Sequence, residues 1–230
     1  MALEERIREA MDVLEETVAR HPPAVLATSL GAEDMVLADM VAAHFPGIGI
    51  FTLDTGRLNP ETYDLLAEVR SRYGREVRVY FPDAAEVEAF VGQHGPNAFY
   101  ESVGLRKTCC YIRKVAPLKR ALAGRGAWIT GLRQEQSPTR QGVQPIEWDG
   151  PNGLYKANPL WDWTTEEVWA YLGSRGVPYN RLHDQGYASV GCAPCTRPIG
   201  PGEDIRAGRW WWESPDTKEC GLHPVPSSLV

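Results

Sequence analysis

The chain has 230 residues, of which 43% are hydrophobic and 23% charged, and it carries a formal net charge of −6. This is the composition of a globular protein with one sizeable core, and the acidic balance argues against a broad basic surface for nucleic acid. No apolar run reaches the roughly 18 residues of a membrane-spanning helix, and the charged N-terminus lacks the apolar centre of a signal peptide. We therefore expect a cytoplasmic protein that binds neither nucleic acid nor membrane.

Helices and strands alternate over the first 130 residues. The pattern predicts helices at 1–20, 35–43, 60–73, 84–93 and 111–123, and strands at 24–29, 48–53, 77–80 and 127–130. Pro60 suits a first helical position and Gly74 a helix end. This alternation predicts an α/β fold in which a doubly wound parallel sheet has helices on both faces. In such sheets ligands lie beyond the carboxyl ends of the strands.

The pattern changes after residue 140. Residues 143–148 and 154–157 predict a hairpin, and Thr164 is a capping residue for a helix that ends near Ser174.

From Tyr179 onward Gly, Pro and Arg dominate, and no periodicity remains. Such a segment needs a ligand, a metal or a partner to order it. We expect an α/β domain over 1–178 and a loop-rich C-terminal segment over 179–230. Residues 210–212 are three tryptophans, which we expect to pack this segment onto the domain.

The five cysteines form two pairs and a single residue. Cys109 and Cys110 are adjacent, Cys192 and Cys195 are separated by two residues, and Cys220 stands alone near the C-terminus. Disulfides are rare in cytoplasmic proteins, and a bond between adjacent cysteines is strained. The count fits a four-thiolate metal site and one free thiol, and four thiolates suit either zinc or a [4Fe–4S] cluster.

Six segments resemble the assimilatory adenylyl-sulfate reductases, in the same order along the chain. They are SLGAED at 29–34, LDTG at 53–56, KTCCYIRKVAPL at 107–118, TGLR at 130–133, GCAPCT at 191–196 and KECGLH at 218–223. Each short motif is weak evidence by itself, but all six in order are highly specific. The resemblance implies a sheet of the adenine-nucleotide alpha-hydrolase-like type.

The resemblance also implies a role for every cysteine. Cys220 is the nucleophile that attacks the sulfonate of adenosine 5′-phosphosulfate (APS), and AMP leaves. Reduced thioredoxin then cleaves the S-sulfocysteine and releases sulfite. The four paired cysteines hold a [4Fe–4S] cluster. Related reductases that act on the 3′-phosphorylated nucleotide usually lack these pairs, so their presence favours APS.

Further residues are predicted to bind the substrate. The turn after the first strand, with Ser29 and Gly31, offers backbone N–H groups to an anion. Lys114 lies one helical turn beyond Cys110, within reach of both the cluster and the substrate. By resemblance the substrate-binding set also includes Leu53, Asp54, Thr55, Gly131, Arg133, Arg206 and Arg209, of which the last two bind the phosphosulfate.

Each of these assignments has a structural alternative. The alternatives are a solvated surface position for Lys114, Arg206 and Arg209, a plain turn for Asp54, and an ion pair with Glu135 or Asp149 for Arg133. Glu33 and Asp34 are expected to complement the dipole of the helix that they begin.

Other functions remain open from the sequence alone. One is reduction of 3′-phosphoadenosine 5′-phosphosulfate, and another is an ATP-dependent adenylating or tRNA-thiolating enzyme with a cluster. Leu30 and Met35 break the Ser-Gly-Gly-x-Asp-Ser pattern of the ATP-dependent enzymes. A non-catalytic zinc- or cluster-binding module would leave Cys220 unexplained. The sequence leaves open whether the protein is a homo-oligomer and which thiol donor it uses.

Overall fold

The computed structural model describes residues 3–137, 140–214, 218 and 221–222. Cys220, the predicted nucleophile, lies outside these described residues. The helices are α1 (Leu3–Arg20), α2 (Ala32–His44), α3 (Pro60–Tyr73), α4 (Ala84–His94), α5 (Val103–Cys110), α6 (Ala116–Leu122) and α7 (Thr165–Arg175). The strands are β1 (Ala24–Thr28), β2 (Gly49–Leu53), β3 (Val77–Tyr80), β4 (Ala127–Ile129), β5 (Ile146–Asp149) and β6 (Leu154–Ala157). Of the described helices, none combines the length and the apolar character needed to cross a membrane.

The six strands form one sheet in the order β3-β2-β1-β4-β6-β5. All neighbouring strands are parallel except β5, which pairs antiparallel with β6. The chain runs outward from β1 to β3 and then returns to place β4 on the other side of β1. The strand order therefore reverses between β1 and β4, where doubly wound sheets bind ligands. The predicted parallel sheet and the predicted hairpin are both confirmed.

Helices cover both faces of the sheet. Val25 and Leu26 of β1 point to opposite faces because side chains alternate along a strand. Leu26 belongs to a large core with α1, α2 and α7, and Val25 belongs to a smaller core with α6. Each large apolar side chain that is fully buried contributes roughly 1.5–3 kcal/mol. The two cores hold the carboxyl ends of the strands in fixed positions.

Local signals in the sequence set several element boundaries. Helix α3 and strand β3 have the predicted bounds, and Gly74 ends α3 with a φ of +58°. Asp83 caps α4 by accepting a hydrogen bond from the Glu86 N–H at 3.1 Å. Thr164 forms the predicted cap of α7. Capping residues bind the free N–H groups of a helix's first turn, and for this reason these helix starts can be predicted from the sequence.

The helix that carries Cys109 and Cys110 begins earlier than predicted. Helix α5 starts at Val103, where the Ser102 hydroxyl accepts a hydrogen bond from the Leu105 N–H at 3.1 Å. It continues through a π-helical turn (Tyr111–Val115) into α6. Pro117 lies directly after the π-helical turn, in the first turn of α6.

Long-range hydrogen bonds hold the C-terminal segment against the sheet domain. The Asn180 side-chain amide donates to Thr62 Oγ1 at 3.0 Å, and the Ala193 N–H donates to the Arg57 carbonyl at 2.8 Å. The segment also folds back on itself through a backbone bridge between residues 196 and 209. The division of the chain at residue 178 stays a prediction.

Candidate active site

A buried carboxylate shapes the turn after β1. Asp34 Oδ2 accepts hydrogen bonds from the Ser29 N–H at 2.5 Å and from the Ser29 hydroxyl at 2.7 Å. Burial raises the pKa of Asp34 to about 6, against the effect of these hydrogen bonds. Leu30 has a φ of +62°, a left-handed conformation that favours glycine. Asp34 therefore has a structural role, and Leu30 holds a strained conformation where the ATP-dependent pattern has glycine.

A cavity of about 270 Å³ lies at the carboxyl ends of β1, β2 and β4. This is the point at which the strand order reverses. Eight of the ten predicted substrate-binding residues line it: Ser29, Gly31, Leu53, Thr55, Lys114, Gly131, Arg206 and Arg209. These residues come from five separate parts of the chain, and the fold brings them to one cavity.

Asp54 is not among the residues that line the cavity. Its buried carboxylate accepts hydrogen bonds from the Gly56 N–H at 2.7 Å and from the Tyr63 hydroxyl at 3.0 Å. A carboxylate that bonds to an N–H two residues later stabilises a turn. The Asp54 carboxylate thus stabilises the turn, and its neighbours Leu53 and Thr55 reach the cavity. A contact between Asp54 and the substrate stays a prediction.

Arg133 does not line the cavity either. Its guanidinium, which is 1% exposed, pairs with Glu33 Oε1 and Glu135 Oε2, each at 2.8 Å. The ion pair with Glu135 was the alternative to substrate binding, and the pair with Glu33 was not predicted. The side chain joins the loop after β4 to the start of α2. A contact between Arg133 and the substrate stays a prediction.

Gly131 is required by the close approach of β4 to α2. A Cβ atom at residue 131 would lie 2.6 Å from Asp34 Oδ1 and 2.8 Å from the Glu33 Cβ. Contacts this short force neighbouring atoms to move. The glycine therefore keeps the two sides of the cavity at their observed separation.

Lys114 lies on the π-helical turn, where its side chain is buried and lines the cavity. Burial raises the pKa of the nearby Cys192 thiol, but the charge of Lys114 and a hydrogen bond to Thr55 leave it lowered overall. The Cys192 sulfur and Thr55 Oγ1 lie 3.3 Å apart, within hydrogen-bond distance. The surface position that was the alternative for Lys114 is ruled out by this burial, and Lys114 adjoins both the cavity and the cysteines.

The four paired cysteines meet in one apolar cluster with Phe99 and Trp210; they are Cys109, Cys110, Cys192 and Cys195, all free thiols. Burial and then the neighbouring Cys192 raise the pKa of Cys195 to about 12. Among the described residues, no three His, Cys, Asp or Glu side chains are arranged as ligands of a single metal ion. The two sequence pairs nevertheless lie together in the fold. That they bind one metal centre stays a prediction.

Arg209 enters the cavity through a narrow gap beside Gly191. The Arg209 side chain is 9% exposed and donates to the Val190 carbonyl at 2.8 Å. A Cβ atom at residue 191 would lie only 2.1 Å from Arg209 Nη1, so the gap requires glycine. Arg206 donates to the Lys218 carbonyl. Both arginines line the cavity, and Arg209 is far too buried for a surface role. Their contact with the phosphosulfate stays a prediction.

Two described residues near Cys220 lie at the cavity or next to a residue that lines it. Leu222 lines it and packs against the core beneath α6. Lys218 is bound through its carbonyl to Arg206, which also lines the cavity.

Some cavity residues carried no usable signal in the sequence. They include Gln136, Arg140 and His183. Arg140 stands in an irregular loop, and no motif in the sequence placed it near the nucleotide-binding residues. Its guanidinium donates to the Gln136 side-chain oxygen. His183 lies in the segment without periodicity, and its ring Nδ1 donates to the Tyr187 carbonyl at 2.8 Å. Only the three-dimensional fold brings these side chains to the cavity.

The fold and the site together define an α/β nucleotide-binding protein in which a cation-lined crevice adjoins four clustered thiols. A model of the phosphoadenosine phosphosulfate reductase domain matches residues 23–198. The chain belongs to this family.

Named relatives are similar over most of their length. The chain is 54% identical to the adenosine 5′-phosphosulfate reductase of Allochromatium vinosum over 214 residues, covering 93% of this chain and 84% of that one. It is 55% identical to the enzyme of the same name from Burkholderia cepacia, covering 91% and 86%.

Solved structures show the same fold. The phosphoadenylyl-sulfate reductase of Candida auris superposes with a TM-score of 0.71 at 32% identity, covering 82% of this chain and 90% of that one. An FMN adenylyltransferase of Candida glabrata superposes with a TM-score of 0.61 at 15% identity, covering 97% and 78%, a likeness that concerns the fold alone. The predicted fold class is thereby confirmed.

Proposed function

We propose that the protein reduces APS to sulfite and AMP in sulfate assimilation. One observation carries the proposal: the predicted anion-binding turn, Lys114, Arg206 and Arg209 line a single cavity beside the four clustered cysteines. The relatives at 54% and 55% identity are named for the same reaction. An ATP-dependent thiolation enzyme is disfavoured by the strained Leu30 in the turn after β1.

The reaction begins with attack of the Cys220 thiolate on the sulfonate sulfur. An S–S bond forms while the bond from sulfur to the phosphate oxygen breaks, and AMP leaves with the electron pair. Lys114, Arg206 and Arg209 neutralise the sulfonate and the negative charge that develops on the departing phosphate. The positions of Lys218 and Leu222 on either side support the access of Cys220 to this cavity.

A reduced dithiol protein, thioredoxin, completes the cycle. One of its thiolates attacks the Cys220 sulfur and releases sulfite, and its second thiol resolves the mixed disulfide and restores the Cys220 thiol. The two electrons of the reduction come from the dithiol. We place this reaction in the cytoplasm, where thiols are kept reduced.

The four clustered cysteines suit a [4Fe–4S] cluster. Their donor set consists of four thiols, grouped in an apolar environment on the wall beside the cavity. When bound, the cluster would supply charge next to the phosphosulfate. Lys114, which is buried and close to Cys192, would then bind substrate while it offsets the charge of the thiolates. Analysis of iron, acid-labile sulfide and zinc in anaerobically purified protein tests this proposal, because a stoichiometric zinc content without sulfide would contradict it.

Release of sulfite from APS in the presence of reduced thioredoxin tests the proposed activity. The Cys220→Ser variant should lose sulfite release entirely, because a hydroxyl is a far weaker nucleophile than a thiolate near neutral pH. It should keep the iron content and the APS affinity of the wild-type protein. Loss of iron in this variant would make Cys220 a ligand, and normal turnover would remove it as the nucleophile.

A second candidate substrate is 3′-phosphoadenosine 5′-phosphosulfate. The observation in its favour is Arg140, a cation that lines the cavity and was not expected there. Parallel assays of both nucleotides decide between them.

A further inference from the structure

A buried ion pair joins the cysteine-bearing helix to the C-terminal segment. Arg106 of α5 donates from Nε to Glu213 Oε1 at 2.9 Å and from Nη2 to Glu213 Oε2 at 2.8 Å. The two side chains are 0% and 3% exposed. This is the two-bond geometry in which a guanidinium fixes both the position and the orientation of a carboxylate. A pair buried this completely needs a reason, since burying two charges is itself unfavourable.

Both ends of the pair lie close to functional groups. Arg106 stands four residues before Cys110, on the same face of the helix, and the two side chains interact. Glu213 stands four residues after Arg209, in the segment that lines the cavity.

Trp210 connects the pair to Arg209. The Trp210 ring lies 4.8 Å from the Arg106 guanidinium and 4.7 Å from the Arg209 guanidinium. The Glu213 N–H donates to the Trp210 carbonyl at 2.8 Å, and the Trp210 N–H donates to the Cys195 carbonyl at 3.1 Å. Trp210 has a φ of +40°, which is strained for a residue with a side chain. Such a conformation persists only where its surroundings fix it, and the Arg106–Glu213 pair is part of those surroundings.

We propose that Arg106 and Glu213 are positioning residues that hold Arg209 in its substrate-binding position through the strained turn at Trp210. This inference rests on the proposed function, because it takes Arg209 to bind the phosphosulfate. A pair with a purely structural role would stabilise the fold without affecting one part of the ligand more than another. A positioning pair affects affinity for the group that Arg209 contacts.

The test uses a double replacement, Arg106→Met with Glu213→Leu, in the Cys220→Ser background so that APS is bound without turnover. Apolar side chains of similar volume often replace a buried ion pair without loss of stability. We expect the Kd for APS to rise at least tenfold and the Kd for AMP, which lacks the sulfonate, to change less than threefold. Calorimetric titration measures both, and thermal unfolding and iron content should match the parent.

A second comparison isolates Arg209. Arg209→Ala should raise the Kd for APS at least tenfold in the parent but less than threefold in the double variant, where Arg209 is already displaced. The matched control is Arg197→Gln with Glu203→Gln, which removes a two-bond ion pair of the same segment on the surface. This control should bind both ligands as the parent does.

Three results would overturn the inference. They are an unchanged Kd for APS in the double variant, equal increases in Kd for APS and AMP, or a further tenfold increase in the Kd for APS when Arg209→Ala is added to the double variant. If the double variant loses iron or unfolds, the Arg106→Lys variant is the test instead. Lysine keeps the positive charge but cannot form the two parallel hydrogen bonds of a guanidinium. Arg106→Lys should raise the Kd for APS at least threefold and leave the Kd for AMP unchanged. A Kd for APS equal to that of the parent would refute the proposal. Failure of the proposed function is separate, since it shows as absence of sulfite release by the wild-type protein.

Discussion

Individual residues set the size of the space around the reacting groups. Gly191 and Gly131 stand where a Cβ atom would collide with Arg209 and with Asp34, respectively. Neither glycine contributes a side chain, but each allows a charged group to lie close to the backbone. A site that binds an anion with buried cations depends on such close approaches, because the cations must reach the ligand while the protein excludes water.

Gly191→Ala should displace the Arg209 guanidinium, since the added methyl would lie 2.1 Å from Nη1. We expect kcat/KM for APS to fall at least tenfold, which is about 1.4 kcal/mol of lost transition-state stabilisation. The control is Gly200→Ala in the same segment, where the nearest atom to the added Cβ is the flexible Glu203 carboxylate at 3.8 Å. Steady-state kinetics of both variants provide the comparison, and equal activities would show that Arg209 is not constrained at this point.

Asp34 gives the stability of the protein a distinct pH dependence. Its pKa is raised by burial to about 6, from 3.8, so the folded state holds this proton more tightly than the unfolded state. The resulting stabilisation is fully present below pH 3.8 and is lost as the pH rises through about 6. Relative to Asp34→Asn, the free energy of unfolding of the wild-type protein should fall by on the order of 1 kcal/mol between pH 5 and 7.5. Urea unfolding of the two proteins across this range measures the difference, and parallel pH profiles would refute it.

At the scale of elements, the site is assembled from two kinds of structure. The ends of β1, β2 and β4 line the cavity, and the end of α5 together with residues 192–195 provides the cysteines. Each cysteine pair is placed by a local feature, a helix end in one case and a short turn in the other. Neither element alone brings four thiols together.

Replacing any one of the four paired cysteines by Ser should therefore release most of the iron and abolish most of the activity, because each thiolate supplies one ligand. The four variants are Cys109→Ser, Cys110→Ser, Cys192→Ser and Cys195→Ser. Iron and sulfide analysis together with sulfite release tests each variant. Full iron content in one of them would exclude that cysteine from the ligand set.

The sequence predicted the elements whose signals are local. The caps at Asp83 and Thr164 and the glycine at the end of α3 are readable because each acts within a few residues. The positions of Ser29, Gly131 and the other strand-end residues followed from topology, since parallel strands present their carboxyl ends at one edge.

Contacts between distant parts of the chain could not be predicted from the sequence. Glu33, the partner of Arg133, lies 100 residues away, and Glu213, the partner of Arg106, lies 107 residues away. No pattern of neighbouring residues reveals such partners. For the same reason Arg140 was not assigned to the cavity, and the early start of α5 was missed because Val103–Cys110 has little apolar periodicity.

At the scale of the whole molecule, the fold decides which charges surround the nucleotide. Arg133 lies near the start of α2, but its guanidinium is occupied by Glu33 and Glu135. Lys114, Arg206 and Arg209 line the cavity, and the phosphosulfate that they are proposed to bind is common to both candidate nucleotides. Of the described cavity residues, Arg140 is the remaining Lys or Arg. Selectivity between the nucleotides therefore depends on what a 3′-phosphate would meet.

We predict a preference for APS over its 3′-phosphorylated form of at least about tenfold in kcat/KM. A 3′-phosphate carries about two charges and needs several cations, each worth roughly 1.5–3 kcal/mol when charge-assisted, and a single arginine falls short of that number. Steady-state assays with both nucleotides measure the ratio, and equal or reversed efficiency would refute the prediction.

Arg206→Ala should reduce turnover of both nucleotides by similar factors because it acts on the shared phosphosulfate. Arg140→Ala separates the remaining cases: if it lowers efficiency only for the 3′-phosphorylated nucleotide, Arg140 contacts the ribose side of the cavity, and the preference for APS should then increase.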